Sequence, residues 1–418
     1  MPPASGAALI PQGRGAPPRM AEGAPMPEST TLGWGLDVVQ PPSPDLVTGH
    51  AIRQMEAAAH HLWPDATVRL GRIIPSVTSH VQQVDVNGLP WIAKYSVLGS
   101  SLVSLLGGSC GDWPTVQRAQ ARYVAAPDTL VHREAAQLQA LADAGLPVPA
   151  VRVAHGVLFT EPVPGVTLAD RITADPARTA EILAAVTTAV AGPLRDERVT
   201  ALVDRLPIPE RSISRTFLRK FNGVSGPRYL AQAPHGAVLD AVVSRLRRAS
   251  AGPALLDRPV VYGDLKPEHV IWPDHGGGPL FIDPGLMRSQ PCADLAKVAS
   301  RLVLGLVTAH APAEHSRTVL DGITDHVLAQ AAAQPGRDRT TWLYQTTTLW
   351  LMDTTNILTT CLSAPAGLPL PLQGTALVAR ASTVVRMLNK ASGHLLEADS
   401  PVSAWRACVD QAAQAAAA

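Results

Sequence analysis

Residues 260–285 read VVYGDLKPEHVIWPDHGGGPLFIDPG. A short apolar run, Val260-Val261, leads through Tyr262 and Gly263 to Asp264. Glycine allows the tight backbone that presents an aspartate at a strand end. A loop with Lys266, Glu268 and His269 follows. Val270-Ile271-Trp272 and Leu280-Phe281-Ile282 then flank the glycine-rich segment Pro273–Pro279, a pattern that predicts a β-hairpin. A hairpin returns the chain to its starting level. Asp283 is therefore expected beside the loop that carries Asp264 to His269. Two carboxylates placed together repel unless a cation sits with them. Hard oxygen ligands suit Mg2+, which commonly takes one or two carboxylates plus substrate phosphates.

Working outward, Pro44–His61 reads as a helix that Asp45 can cap. Thr67–Ile74, Val81–Val86 and Leu89–Tyr95 read as three strands, the last two joined by an Asn87-Gly88 turn. Lys94 lies on the third. An unusual stretch, 96–114, is either a lid or a part of the small lobe. A helix is expected over Thr129–Ala144, with Glu134 in its first turns, stopped by Gly145 and Pro147. Two strands, Val151–Ala154 and Val157–Thr160, precede a hinge-like Glu161-Pro-Val-Pro-Gly165. Beyond Leu168 the pattern is mostly helical, with helices expected at Thr179–Ala191, Ala237–Ala249, Asp294–Ala309, Arg317–Ala333, Thr341–Leu362, Ala376–Leu396 and Ala404–Ala417. The alanine-rich last helix is expected to fray. The expected organisation is a disordered tail (1–44), a small lobe (45–163) and a helical lobe (164–418).

A chain of 418 residues can bury a sizeable core. Its 35 basic and 34 acidic residues leave a net charge of +1, which provides no global field for nucleic acid. Aromatics make up only 4% and are not interleaved with basic runs, so stacking on bases is not expected either. Cys110, Cys292, Cys361 and Cys408 form no CxxC pair, which excludes zinc-ligand spacing and suits a reducing cytoplasm. There is no secretory start, and no apolar run reaches the roughly 18–20 residues of a membrane span. Lysine is rare: only Lys94, Lys220, Lys266, Lys297 and Lys390 occur, so each weighs slightly more than an arginine would.

Gly263-Asp-Leu-Lys-Pro-Glu-His269, with the hairpin and Ile282-Asp-Pro-Gly285, resembles the catalytic loop and metal motif of the aminoglycoside phosphotransferase and choline kinase-like superfamily. That resemblance implies an α+β, two-lobed protein-kinase-like fold, with a small antiparallel-sheet lobe and a mostly helical one. It implies an ATP- and Mg2+-dependent kinase acting on a small-molecule hydroxyl acceptor, and the charge balance and the lack of a long apolar run lead us to expect neither nucleic acid nor membrane as partner. It makes Asp264 the catalytic aspartate and puts Lys266 near the transferred phosphate. Asp283 becomes a metal ligand, with His269 where the family usually has a second, asparagine ligand. Lys94 would meet phosphate oxygens, held by Glu134, and the hinge backbone from Glu161 to Val163 would face adenine. Asp294 matches an aspartate often seen after the metal motif. Tyr262 stands where histidine is common, and the Pro75–Ser79 loop has hydroxyls instead of a glycine run.

Plainer readings stand beside these. Asp264 and Asp283 can close turns, and Glu134 can complement a helix dipole. Lys94 and Lys266 can be solvated charges, His269 can bond backbone, and Asp294 can cap a helix. Trp342, Trp350 and Met352 are expected in the core. The basic stretch from Arg205 to Arg248 is either a solvated helical face or a sign of a neutral or anionic acceptor. The competing function is a nucleotide-binding pseudokinase or scaffold with little turnover.

Overall fold

The computed structural model describes residues 40–223, 226–231, 235–274 and 276–418. The tail expected over 1–44 lies outside the described residues except for its last five. Among the described residues the fold has two lobes, a small antiparallel sheet and a mostly helical remainder, as the resemblance implied.

The first lobe opens with α1 (Pro44–Leu62), capped by the Ser43 hydroxyl. Strands β1 (Val68–Ile74), β2 (His80–Val86) and β3 (Leu89–Tyr95) form the expected meander. Its turn uses left-handed Asn87 and Gly88, with Asp85 accepting the Gly88 amide. Helices α2 (Leu102–Leu106), α3 (Trp113–Val124) and α4 (Leu130–Asp143) follow, then β4 (Val151–Ala154) and β5 (Val157–Thr160). The sheet order is β1-β2-β3-β5-β4. Alternation along β3 sends Ala93 and Tyr95 into a core with Met55 of α1 and Phe159 of β5. Lys94 is thereby turned to the opposite face, toward α4. The 96–114 stretch resolves in favour of packing on the small lobe: Leu102, Leu105 and Leu106 join the same core. Helix α3 was not anticipated from the sequence. Asp112 caps it and Pro114 sits in its first turn, a start signal that its weak apolar pattern obscured.

The chain crosses to the second lobe through β6 (Gly165–Thr167), which pairs with β8 (Val270–Pro273), itself paired with β9 (Leu280–Phe281). Between these lie α5 (Leu168–Ala174), α6 (Thr179–Ala191), α7 (Glu197–Arg205), α8 (Ile213–Lys220), α9 (Gly226–Ala231), α10 (Gly236–Ser250) and β7 (Val260–Val261). After β10 (Met287–Arg288) come α11 (Ala293–Ala309), α12 (Ala313–Ala332), α13 (Asp338–Leu362), α14 (Leu372–Ala379), α15 (Ala381–Glu397) and α16 (Pro401–Ala417). The single helix expected over 376–396 is two. The chain turns aside at Arg380, whose guanidinium donates to the Ala415 carbonyl near the end of α16.

Helix α13 runs through the middle of this lobe, and α8, α10, α11, α12, α15 and α16 pack around it. Its many threonines are poor helix formers. They survive burial because Thr346, Thr347, Thr354, Thr355 and Thr359 each donate to the carbonyl four residues back. Trp342, Trp350 and Met352 are buried, as expected. Helix α16 is docked rather than frayed: the Trp405 ring lies 5.1 Å from that of Trp350, and its Nε1 donates to Thr324 Oγ1. Among the described residues no helix is long and apolar enough to cross a membrane. Replacing Trp405 with alanine is expected to cost about 3–5 kcal/mol, the range for a large aromatic removed from a core. Urea denaturation of the two proteins measures this.

Candidate active site

Two loops meet because β7 pairs antiparallel with β10, Val261 opposite Met287. The Gly285 amide donates to the Tyr262 carbonyl at 2.9 Å. Gly263 has a φ of +78°, and a Cβ there would fall 2.1 Å from the Gly285 oxygen, so the approach requires glycine. Tyr262 braces the second loop by donating its hydroxyl to the Ile282 carbonyl at 2.8 Å. Asp294 does not cap α11, whose N-cap is Cys292. Its carboxylate reaches back and accepts the amides of Tyr262 and Gly263, both at 2.7 Å. Burial pushes this carboxyl up to about 6, against the pull of the two amides.

Asp264 is 7% exposed. Lys266 Nζ lies 3.0 Å from its Oδ2 and Lys297 Nζ 2.9 Å from its Oδ1. Burial alone would raise its pKa, but Lys266 and Lys297 outweigh burial and hold the carboxyl well below the ordinary range. Near neutral pH Asp264 is thus a carboxylate and a weak base, fit to orient a hydroxyl. The sequence reading did not single out Lys297. Its signals were the rarity of lysine and its place one helical turn after Asp294.

Lys94 Nζ contacts Glu134 at 2.9 and 3.1 Å and Asp283 Oδ1 at 3.2 Å. Glu134 is fully buried and also accepts from Arg211. Burial pushes the Glu134 carboxyl upward, and Arg211 and Lys94 oppose that. Arg211 was read only as part of a basic stretch. It is in fact 13% exposed and donates to the carbonyls of Asp283 and Pro284 as well. Nor is the rest of that stretch one solvated face. Lys220 is buried against the Asn356 carbonyl and Thr360, and Arg247 donates to the Phe221 carbonyl.

Asp283 has a left-handed φ of +55°, a strained conformation for a residue with a Cβ. About a third of its side chain, 35%, stays open. Burial would raise its carboxyl, but Lys94, helped by the charges of Arg211 and Lys266, pulls it far below the usual range. His269 stands between the two aspartates. Its Nδ1 lies 2.9 Å from the Asp264 carbonyl, which can only accept, so Nδ1 carries the proton. Burial, reinforced by Lys266, lowers its pKa and leaves the ring neutral. The bare Nε2 then faces Asp283 Oδ2 at 3.7 Å. Two lone-pair donors turned toward each other fit a cation. One carboxylate and one imidazole, completed by phosphate oxygens, are a workable set for Mg2+. Among the described residues no cluster of three or more His, Cys, Asp or Glu side chains forms a metal cage.

The hinge residues lie apart from this cluster, at the exit of β5. The Glu161 amide is bonded to the Ala150 carbonyl and its side chain is exposed. Pro162 and Pro164 have no N–H, so Val163 carries the one donor between Glu161 and Gly165. In the 75–79 loop Ser76 Oγ accepts the amides of Thr78 and Ser79.

A model described as the phosphotransferase enzyme family matches residues 116–328, just over half of the chain. The chain belongs to the phosphotransferase enzyme family. The match takes in Glu134, Asp264, His269, Asp283 and Lys297, whereas Lys94 lies before it. No curated protein matches this family member at a significant level. Among solved structures it is similar to the choline kinase LicA from Streptococcus pneumoniae, with 17% identity over 81% of this chain and 99% of that one and a TM-score of 0.40. It is similar to a thermostable mutant of aminoglycoside phosphotransferase APH(4)-Ia solved with AMP-PNP and hygromycin B (12% identity, 80% and 97% covered, TM-score 0.43). Spectinomycin phosphotransferase APH(9)-Ia, solved with ADP and spectinomycin, is a third (12% identity, 78% and 93% covered, TM-score 0.43).

Lys297→Met leaves Asp264 with one lysine and is expected to destabilise the fold at pH 7 by about 2 kcal/mol or more. Asp264 titrates lower folded than unfolded, so its contribution is fully present above the ordinary aspartate value of 3.8 and is lost as pH falls from there through its lower folded value. The gap between variant and wild type should therefore close below about pH 4, as read by denaturant unfolding across pH.

Proposed function

We propose that the protein transfers the γ-phosphoryl group of ATP, with Mg2+, to a hydroxyl of a small molecule. The observation that carries this is the neutral His269 set between two ionised aspartates, Asp264 paired with Lys266 and Lys297 and Asp283 with Lys94. Phosphoryl transfer asks a protein mainly for positioning and charge neutralisation. Asp264 orients the acceptor hydroxyl. Lys266, beside it, offsets charge on the transferred group. Asp283 and His269 hold the cation, which draws charge from the nucleotide phosphates when bound. Lys94, fixed by Glu134, meets phosphate oxygens. The Val163 amide and the Glu161 carbonyl face adenine. The hydroxyl oxygen forms its bond to phosphorus as the bond to ADP breaks. Its proton passes to Asp264 only late, as the bond to phosphorus forms and the hydroxyl becomes acidic, because Asp264 is too weak a base to take it beforehand.

In the same reading the nucleotide-binding lobe spans 45–163 and the acceptor-binding helical lobe spans 164–418. The setting is cytoplasmic, in keeping with four cysteines that are all free.

Asp264→Asn is expected to lower turnover by about 10²–10⁴-fold while Mg2+-dependent nucleotide binding stays near wild type. In Asp283→Asn, nucleotide affinity should no longer respond to Mg2+. Phosphate release into a panel of hydroxylated small molecules, alongside nucleotide titrations with Mg2+ and with EDTA, tests both. Normal turnover in either variant removes the mechanism. Mg·ATP binding with no acceptor turned over would favour the scaffold reading.

A further inference from the structure

The carboxylate of Asp283 can serve a cation only if its strained turn is held in place. Arg211 holds it. The residue ends a short turn, Pro209–Arg211, just before α8. Its Nη1 donates to the carbonyls of Asp283 and Pro284, both at 2.6 Å, and its Nη2 donates to Glu134. The fit is made by Gly285, where a Cβ would lie 2.5 Å from Arg211 Cδ. The Arg211 carbonyl accepts from Lys297, the lysine that also grips Asp264. A neighbouring pair repeats the cross-link between the same two segments. Arg133, next to Glu134, bonds Glu210, next to Arg211, at 2.6 Å. That outer pair does not touch the Asp283 turn.

We propose that Arg211 is a positioning residue for the cation and the nucleotide phosphates: it fixes the Asp283 turn against Glu134 and so aims the Asp283 carboxylate toward Lys94 and His269. This rests on the reading of Asp283 as a cation ligand. The planar guanidinium presents donors in a fixed fork and reaches three acceptors at once, whereas an ammonium on a flexible stem is a point charge. The outer Arg133–Glu210 pair supplies the internal control. It joins α4 to the same segment, so a role limited to fastening that helix would show equally when either pair is broken.

The test compares wild type, Arg211→Lys, Arg211→Met and Glu210→Gln. Each is titrated with a fluorescent ATP analogue in Mg2+ and in EDTA, and its thermal midpoint is recorded. For Arg211→Met the tightening of nucleotide binding by Mg2+ is expected to fall about 10–100-fold, the usual effect of removing a partner that orients a metal ligand. Binding in EDTA should change far less. Arg211→Lys should recover part of the thermal midpoint but little of the Mg2+ response. Glu210→Gln should lower the midpoint and keep the Mg2+ response. If Arg211→Met does not fold, Arg211→Lys decides, since it keeps the charge beside Glu134. A wild-type Mg2+ response in Arg211→Lys, or its loss in Glu210→Gln, overturns the proposal. Wild type that binds nucleotide equally well with and without Mg2+ overturns the cation-site reading and this role with it.

Discussion

The buried carboxylate of Glu134 is the constraint on which the site depends. It is fully enclosed and accepts from a lysine of the sheet and an arginine of the helical lobe. An ionised carboxyl so far from water is costly unless it is paired and hydrogen-bonded. Its two cations come from segments far apart in the chain, so the one carboxylate ties α4 to β3 and to the turn before α8. Lys94 is then close enough to Asp283 to meet it at 3.2 Å. The same arrangement brings Gln137, one turn further along α4, to the Leu206 and Leu286 carbonyls and the Leu286 amide. The small lobe is thus fastened to the segment before α8 and to the loop from Asp283 to Leu286 at two levels of one helix.

Much of this was legible in the sequence. The run from Val260 to Gly285 gave away its hairpin through two apolar triplets and a glycine-rich turn, and its aspartates fall where the hairpin geometry sends them. Lys94 and Glu134 were found through their order along the chain. The rarity of lysine proved informative: Lys94, Lys266 and Lys297 all converge on the two aspartates. Arg211 and Lys297 were missed for a physical reason. Each acts through long-range packing, and nothing local separates a buried arginine from the exposed arginines around it. Asp294 was misread because a carboxylate in a first helical turn has a ready local explanation. Only the tertiary fold shows it turned back onto two loop amides.

The helical lobe shows the converse. Helix α13 has a composition that propensity alone disfavours, yet it is the helix the others surround. Back-bonded threonines let it present polar side chains inward without orphaning their hydroxyls. Sequence periodicity found the helix but not this solution. The break at Arg380 was likewise invisible, for no glycine or proline marks it, and the Ala415 carbonyl that its guanidinium meets lies 35 residues away.

The inserted helix α2 ties its own surroundings together. Its leucines Leu102, Leu105 and Leu106 belong to the small-lobe core, its Val103 amide donates to the Val77 carbonyl in the hydroxyl-rich loop, and its Ser104 hydroxyl meets that of Tyr229 in α9. Breathing of the lobes along this rim cannot be a free hinge motion. Either the seam at Ser104 unzips, or the 75–79 loop is dragged along with it.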